Sequence, residues 1–358
     1  MSKKTVVVIF GGQSSEHEIS RISASSVIRN LNKEKYDVIT IGITKNGEWY
    51  LYSGDIEKIE SGEWQDDEKN LKKAVVSPSA ADKGIIVFDD EKSFHIQKTD
   101  VFFPVLHGMY GEDGTIQGLF EMSSVPYVGC GVLASSVAMN KIYAKIIFEN
   151  AGLVQADWTA VYKKEFSDMD ACLERVEKKL GYPVYVKPAN AGSSVGISRA
   201  TNKDELKDAL LLASEHDRQI VVEQEVSGRE VECSVLGGDT VRAAEVGEIV
   251  APGSGFYDYD EKYKKQTTKL IIPAKLDDKT YQKVRSDAVK AFCAIDGAGI
   301  SRVDFFVRSS DGEVVINEIN TMPGFTSISM YPKLWQAAGK EYENLLDDMI
   351  NLAFERKK

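Results

Sequence analysis

Apolar residues come in short runs separated by amphipathic stretches along most of the chain, the pattern of alternating strands and helices. "TVVVIF" near the start is a continuous apolar run of buried parallel-sheet type, and it leads into Gly11-Gly12. Ser15-x-x-Glu18 reads as a capping box, and Ile19, Ile22, Ile28 and Leu31 then recur at helical spacing, so a helix is expected. "YDVITIGIT" is the next strand, and Lys45-Asn46-Gly47 turns it back into "EWYLY". Residues 53 to 83 are polar and irregular. "DVFFPVLHG" resumes the sheet and runs into the glycine-rich "GMYGEDGTIQG".

A second unit begins near Gly129. The helix "NKIYAKIIFENAG" has a capping residue in Asn140 and a stop in Gly152. It is followed by strand "WTAVY", helix 169–180, strand "YPVYVKPA", loop "NAGSSVG", strand "ISRA", helix 203–213 and strand "QIVVEQEV". A third unit holds strands "EVECSVLG" and "RAAEVGEIV", a tyrosine-rich loop, helix 279–294, a hairpin and a terminal helix 341–355. The expected class is α/β made of α+β pieces, divided at 1–129, 130–227 and 228–358.

The hairpin "RVDFFVRSSDGEVVINEINTMPGF" poses a chemical question. A three-residue turn at Ser310-Asp311-Gly312 pairs Phe306 with Ile316, Asp304 with Glu318 and Arg302 with Asn320, all on one face. Carboxylates directly opposite each other repel. A divalent cation resolves the conflict, since Mg²⁺ takes one or two carboxylates plus phosphate oxygens and water. A surface ladder of salt bridges is the alternative.

Composition narrows the partners. The 358 residues are 43% hydrophobic and 28% charged, with a net charge of -11 that disfavours nucleic acid or an anionic membrane as main partner. "VVVIF" is too short for a membrane span or signal core, so a cytoplasmic location is expected. The four cysteines stand far apart with no CxxC pair, as structural thiols do.

Other polar stretches remain ambiguous singly. In "VYVKPANAGSSVG", Lys187 ends a strand before a small-residue loop whose backbone N–H groups suit a phosphate, with Ser193 and Ser194 adding hydroxyls. It is no Walker A motif, and an ordinary hairpin loop is the alternative. Glu223 and Glu225 share a face in "VVEQEVSGREVE", with Glu230 beyond a turn; they suit an amine or ribose hydroxyls, or simply a solvated edge. "GGQSSEHEIS" lacks the GxGxxG spacing of a dinucleotide site, and Glu16 and His17 fall in a helix's first turn. "GFYDYDEKYKKQTTKL" reads as a lid or a surface loop.

Their order is more telling. "GGQSSEHEIS", "LHGMYGEDGTIQG", "MNK", "VKPANAGSSVG", "VEQEVSGREVE", "FYDYDEKY", "RVDFFV" and "NEINTMPGFTSISMYP" form a series that resembles the D-alanine–D-alanine ligases of the ATP-grasp superfamily, from Val6 to about Trp335. The resemblance implies three parts: an N-terminal parallel-sheet α/β domain and two α+β subdomains gripping ATP. It implies that Lys141 and Lys187 contact ATP phosphates. Glu223 and the backbone from Gln224 to Val226 would meet the adenine, and Glu230 the ribose, with Ser194 and Asn317 also at the nucleotide. Many relatives carry Lys where Gln224 stands, a change that a backbone contact survives. Asp304, Glu318 and Asn320 would hold two Mg²⁺ or Mn²⁺ ions. Ser193 and Lys262 would touch the transferred phosphoryl group.

The same resemblance places the first D-alanine's ammonium at Glu16, with His107 nearby. It implies a trio of Glu16, Ser193 and Tyr263, and an oxyanion held by Arg302 and the Gly324 N–H. Ser329 and Met330 would hold the second D-alanine's carboxylate. The implied reaction makes D-alanyl-D-alanine through an acyl phosphate, for peptidoglycan precursors, in a homodimer. In the branches that use D-lactate or D-serine the position of Met330 is usually Arg, so Met330 favours D-alanine. Nothing resembles a carboxylase's biotin-carrier partner, and a nucleotide sensor would not need hairpin, lid and Glu16 together.

Overall fold

The computed structural model describes residues 2–192, 195–250 and 269–356. Its first sheet contains β1 (Lys4–Gly11), β2 (Tyr36–Ile43), β3 (Trp49–Tyr52), β4 (Leu71–Val76), β5 (Gly84–Phe88), β6 (Phe94–Lys98) and β7 (Val101–Pro104) in the order β6-β5-β4-β3-β2-β1-β7. β1 is parallel to β2 and β7, and every pairing from β2 outwards is antiparallel. The parallel expectation therefore holds for the β2-β1-β7 end of the sheet, while β3 to β6 extend it as an antiparallel flank. The stretch 53–83 is more regular than its polarity suggests: it contains helix α2 (Ile56–Ser61) and β4, whose half-exposed strand alternates weakly.

Helix α1 (His17–Asn30) follows β1 as expected, but its cap differs. Glu16 occupies the cap without a side-chain bond, Ser14 Oγ accepts from the Glu16 N–H at 3.1 Å, and Glu18 turns outward to Lys45 at 2.5 Å. The Ser15–Glu18 box does not form, because the lysine after β2 competes for Glu18. Helices α3 (Thr115–Ser123) and α4 (Val132–Met139) arise where no helix was expected, α4 in a stretch rich in Ala and Ser.

The second sheet runs β10-β9-β11-β8, with β8 (Trp158–Tyr162), β9 (Val184–Pro188), β10 (Ser198–Ala200) and β11 (Gln219–Gln224) all antiparallel. Helix α5 (Lys141–Asn150) precedes it, and Asn140 Oδ1 accepts from the N–H groups of Ile142 and Tyr143. Helices α6 (Met169–Leu180) and α7 (Lys203–His216) cover the other face with Leu173, Val176, Leu206 and Leu210.

The third sheet, order β14-β13-β12-β15-β16, contains β12 (Gly228–Gly237), β13 (Val241–Val250), β14 (Lys269–Ile271), β15 (Gly299–Arg308) and β16 (Val314–Asn320). Helix α8 (Asp278–Ala294) packs on the side chains of Val231, Cys233, Val235, Val303 and Phe305. Period two therefore sends Glu232, Arg302 and Asp304 to the opposite face. Two more helices, α9 (Met330–Ala337) and α10 (Tyr342–Arg356), join this unit to the first: Phe10, Phe103, Phe325, Trp335 and Leu345 share one core. Truncating the wholly buried Phe325 to Ala would cost about 3–5 kcal/mol.

The hairpin's register is the expected one near the site and shifted beyond it. Arg302 faces Asn320 and Asp304 faces Glu318, but Phe305 pairs with Ile316 and Phe306 with Val315. A bulge at Asn317 absorbs the difference, and a turn one residue longer closes through Arg308 and Glu313. The bulge turns Ile316 into the α8 core beside Ile319 and leaves Glu318 and Asn320 on the other face. Ile316 thus leaves the face on which strict alternation would put it.

Candidate functional site

A cavity of about 640 Å³ opens between the second and third sheets and extends to α1. Its lining includes Glu16, Glu112, Lys141, Lys145, Lys187, Glu223, Gln224, Val226, Glu230, Asn317, Glu318 and Asn320. Tertiary contact gathers these residues from sequence positions spread over some 300 residues.

Glu223 is the centre of charge at one end. Lys187, near the end of β9, donates to its Oε2 at 2.9 Å, and Lys145 on α5 approaches Oε1 at 3.2 Å. Burial pushes the Glu223 carboxyl up, but the ammonium groups of Lys145 and Lys187 outweigh burial and bring it down to about 2. Burial also lowers Lys145 and Lys141; for Lys187 the Glu223 charge prevails and the shift is upward. Lys187 lies 3.4 Å from Asn317 Oδ1, so the bulge brings that amide to the lysine. Lys141 Nζ donates to the Ala191 carbonyl at 2.6 Å, anchoring the small-residue loop at the mouth.

Glu223 and Glu225 have different partners despite their alternation. Glu225 pairs with Arg199 through two bonds of 2.7 and 2.9 Å at the sheet edge. The Gln224 and Glu225 N–H groups are spent on the carbonyls of Asp157 and Pro183.

Cross-strand register builds the acidic row. Glu232, Asp304 and Glu318 lie side by side on β12, β15 and β16, and Ser234, Arg302 and Asn320 form the next row. Arg302 takes both oxygens of Asp304, at 2.7 and 2.6 Å, and lies 3.1 Å from Glu232. Asn320 Nδ2 donates to Asp304 at 3.2 Å. The Arg302 guanidinium thus already offsets part of the repulsion that the sequence poses. Asp304, Glu318 and the Asn320 amide oxygen are hard donors of the kind Mg²⁺ accepts. Among the described residues no cluster of three or more His, Cys, Asp or Glu side chains forms a metal cage by itself.

At the far end, Glu16 packs against two glycines. A Cβ at Gly108 would meet its Oε2 at 2.6 Å, and one at Gly192 would meet it at 3.0 Å. Glu16 therefore sits against the residue that precedes Ser193. His107 is buried behind it, with Nδ1 at 3.0 Å from the Met322 carbonyl and Nε2 at 3.1 Å from Ser23 Oγ; burial lowers its pKa. Half-buried Glu112 accepts from the N–H groups of Gly108 and Met322, at 2.8 and 3.2 Å. Burial first, and the Glu16 charge second, push Glu112 up to about 8.

Ser329 occupies the N-cap position of α9 without a side-chain cap bond; its Oγ instead accepts from Thr326 N–H at 3.0 Å and lies 2.8 Å from Thr326 Oγ1. A Cβ at Gly324 would lie 2.7 Å from that Oγ, so only glycine allows the approach. Met330 departs from the expectation of a side chain beside the incoming amino acid. It is buried in the core with Leu334, over Gly247, where a Cβ would meet its Sδ at 2.6 Å. As the first residue of α9 it sends its side chain back onto the sheet. Ser193, Ser194, Lys262 and Tyr263 lie outside the described residues.

Sequence reading missed Lys145, Glu112 and Glu232. Lys145 stands four residues after Lys141 on one helix face, and Glu232 shares a strand face with Glu230, so both had a periodic signal. Glu112 had none beyond its place in a glycine-rich loop.

The chain is similar to known proteins over nearly its whole length. A family model described as "D-ala D-ala ligase N-terminus" matches residues 5–130, and one described as "D-ala D-ala ligase C-terminus" matches 147–351. A D-alanine–D-alanine ligase from Acetivibrio thermocellus is 54% identical over 99% of this chain and 96% of its own length. One from Thermoanaerobacter sp. is 51% identical over 99% of this chain and 98% of its own. Among solved structures, the VanG D-Ala:D-Ser ligase from Enterococcus faecalis superposes with a TM-score of 0.90 at 42% identity, covering 98% of this chain and all of that one. The D-alanine–D-alanine ligase from Coxiella burnetii gives 0.86 at 32% identity, over 99% of this chain and 96% of that one.

Proposed function

The chain belongs to the D-alanine–D-alanine ligase family, and from that premise we propose how its cavity performs the family's reaction. It is an ATP-dependent ligase that joins two D-alanines, a step of cell-wall synthesis. The observation that supports the assignment of roles is the meeting of Lys141, Lys145, Lys187, Glu16 and Glu318 in one cavity.

A carboxylate is too poor an electrophile for an amine, so ATP must first phosphorylate the first D-alanine. In our reading Lys141 and Lys187 take the ATP phosphates. Glu223 and the Gln224–Val226 backbone hold the base, and Glu230 the ribose. Asp304, Glu318 and Asn320 would hold two Mg²⁺ or Mn²⁺ ions, with phosphate oxygens and water completing the shell. The metal's contribution is to neutralise charge on the transferred phosphoryl group.

Glu16 orients the first D-alanine through its ammonium, presenting its carboxylate to the γ-phosphate. The second amine then attacks the acyl carbon, phosphate leaves, and the amide forms. Arg302 and the Gly324 N–H meet the oxyanion, each such donor being worth about 3–4 kcal/mol in comparable holes. The second carboxylate rests on Ser329 Oγ and the Met330 N–H, at the start of α9, where a helix favours anions. Ser193 and Lys262 would touch the transferred phosphoryl group, and Tyr263 would join Glu16 and Ser193 in closing the site against water. Division at residues 129/130 and 227/228, a homodimer and a cytoplasmic location belong to the same proposal; sedimentation tests the dimer. No helix among the described residues is long and apolar enough to cross a membrane.

The test is product identification with ATP, Mg²⁺ and equal D-alanine, D-serine and D-lactate. D-Alanyl-D-alanine is the expected main product. A mixed product in its place would move the chain to another specificity while leaving the ligation chemistry standing.

A further inference from the structure

Ser23 is wholly buried on α1, and its hydroxyl joins two segments that are 84 and 302 residues away in sequence. Its Oγ lies 3.2 Å from the Phe325 nitrogen and 3.1 Å from His107 Nε2. The other imidazole nitrogen, Nδ1, lies 3.0 Å from the Met322 carbonyl oxygen.

The proton positions follow from which atoms can donate. A carbonyl only accepts, so Nδ1 carries the imidazole hydrogen. His107 is buried and its charged form disfavoured, which leaves Nε2 a bare acceptor. Phe325 N–H donates to Ser23 Oγ, and the Ser23 hydrogen is left to donate to Nε2. The relay runs from Phe325 through Ser23 and His107 to Met322, and so brackets Gly324 on both sides. Tyr342 supports it from α10 by donating to the Phe325 carbonyl at 3.2 Å.

We propose that Ser23 is a positioning residue for ligation: it holds His107 in the Nδ1–H form and fixes the Met322–Phe325 segment that presents the Gly324 N–H. The inference rests on the oxyanion role given to Gly324 above. Ser23→Ala orphans the Phe325 N–H and His107 Nε2 together, and all three residues are buried. Among the described residues the hydrogen bonds of the Ser23 hydroxyl lead to His107 and Phe325 and not to the nucleotide end, so the loss falls on the chemical step.

Two measurements test it. In wild-type protein labelled with ¹⁵N-histidine, His107 should read as the Nδ1–H tautomer; an Nε2–H signal in the folded protein overturns the relay. In steady-state assays Ser23→Ala should lower kcat for dipeptide formation roughly tenfold or more, with KM for ATP unchanged. Ser25→Ala is the control, because Ser25 is buried on the same helix with no hydrogen-bond partner for its Oγ among the described residues; it should keep the wild-type kcat. Unchanged kcat in Ser23→Ala, or a parallel rise in KM for ATP, overturns the positioning role. The tautomer is read without turnover, so it decides the relay even if the wild-type enzyme makes a different product.

Discussion

Arg302 grips Asp304, two residues along its own strand, through both carboxylate oxygens, and reaches Glu232 on the neighbouring strand at 3.1 Å. The arginine therefore has a structural task as well as the proposed oxyanion one. Removing it takes the arginine's charge away from two buried acids, a loss of about 3–5 kcal/mol. Arg302→Met should lower the urea midpoint accordingly, and millimolar Mg²⁺ should restore part of the loss by taking over the charge. A midpoint equal to wild type without metal would refute this account of the acidic row.

Glu318 faces Asp304 directly. Glu318→Gln should retain the fold, and without metal be at least as stable, because one repelling charge is gone. It should lose most ATP turnover. Wild-type turnover at saturating Mg²⁺ would remove Glu318 from the metal site.

Glu223 links acid stability to the nucleotide end of the cavity. Its folded pKa, about 2, lies below the ordinary 4.5, so its contribution is complete above about pH 4.5 and is lost as pH falls towards 2. Lys145→Met removes one of the two cations responsible. Thermal unfolding between pH 2 and 6 should show the variant's acid transition at higher pH than that of wild type. Coincident acid limbs would mean that Lys145 does not set the Glu223 charge.

Glu112 has the opposite sign. Its pKa, raised from 4.5 to about 8 by burial and by Glu16, favours the protonated fold, so its stabilisation is complete below pH 4.5 and disappears as pH rises through 8. Glu112→Gln cannot ionise. The fall in urea midpoint from pH 5 to pH 8.5 should be smaller in the variant than in wild type, and an equal or larger fall would contradict the upward shift.

Met330 tests where specificity resides. Met330→Leu conserves volume against Gly247 and should cost under about 1.5 kcal/mol, with the product unchanged. Met330→Arg forces a charge into the space over Gly247 and should unfold at markedly lower temperature. If the Arg variant is as stable as wild type, the side chain has a route into the cavity that the core packing does not indicate.

Periodicity along the chain determined a good deal by itself. Apolar alternation set the strands that carry Lys187, Glu223 and Asp304, and a two-residue repeat placed Arg302 opposite Asn320 and Asp304 opposite Glu318. Short-range chemistry also sufficed for α5, whose Asn140 cap is a local hydrogen bond. The capping box at Ser15 failed because Lys45, distant in sequence, takes Glu18. The bulge at Asn317 was invisible because it answers to the α8 core, which needs both Ile316 and Ile319, a spacing that strict alternation cannot provide. The family resemblance put Met330 at the second substrate, yet the helix that starts there turns its side chain onto Gly247. The pairing of Lys145 with Glu223, the elevated Glu112 and the bracketing of Gly324 by Ser23 and His107 depend on surfaces brought together from all three sheets. Local sequence carries propensities and periods; burial and charge at a site depend on what packs against it, and tertiary structure alone decides that.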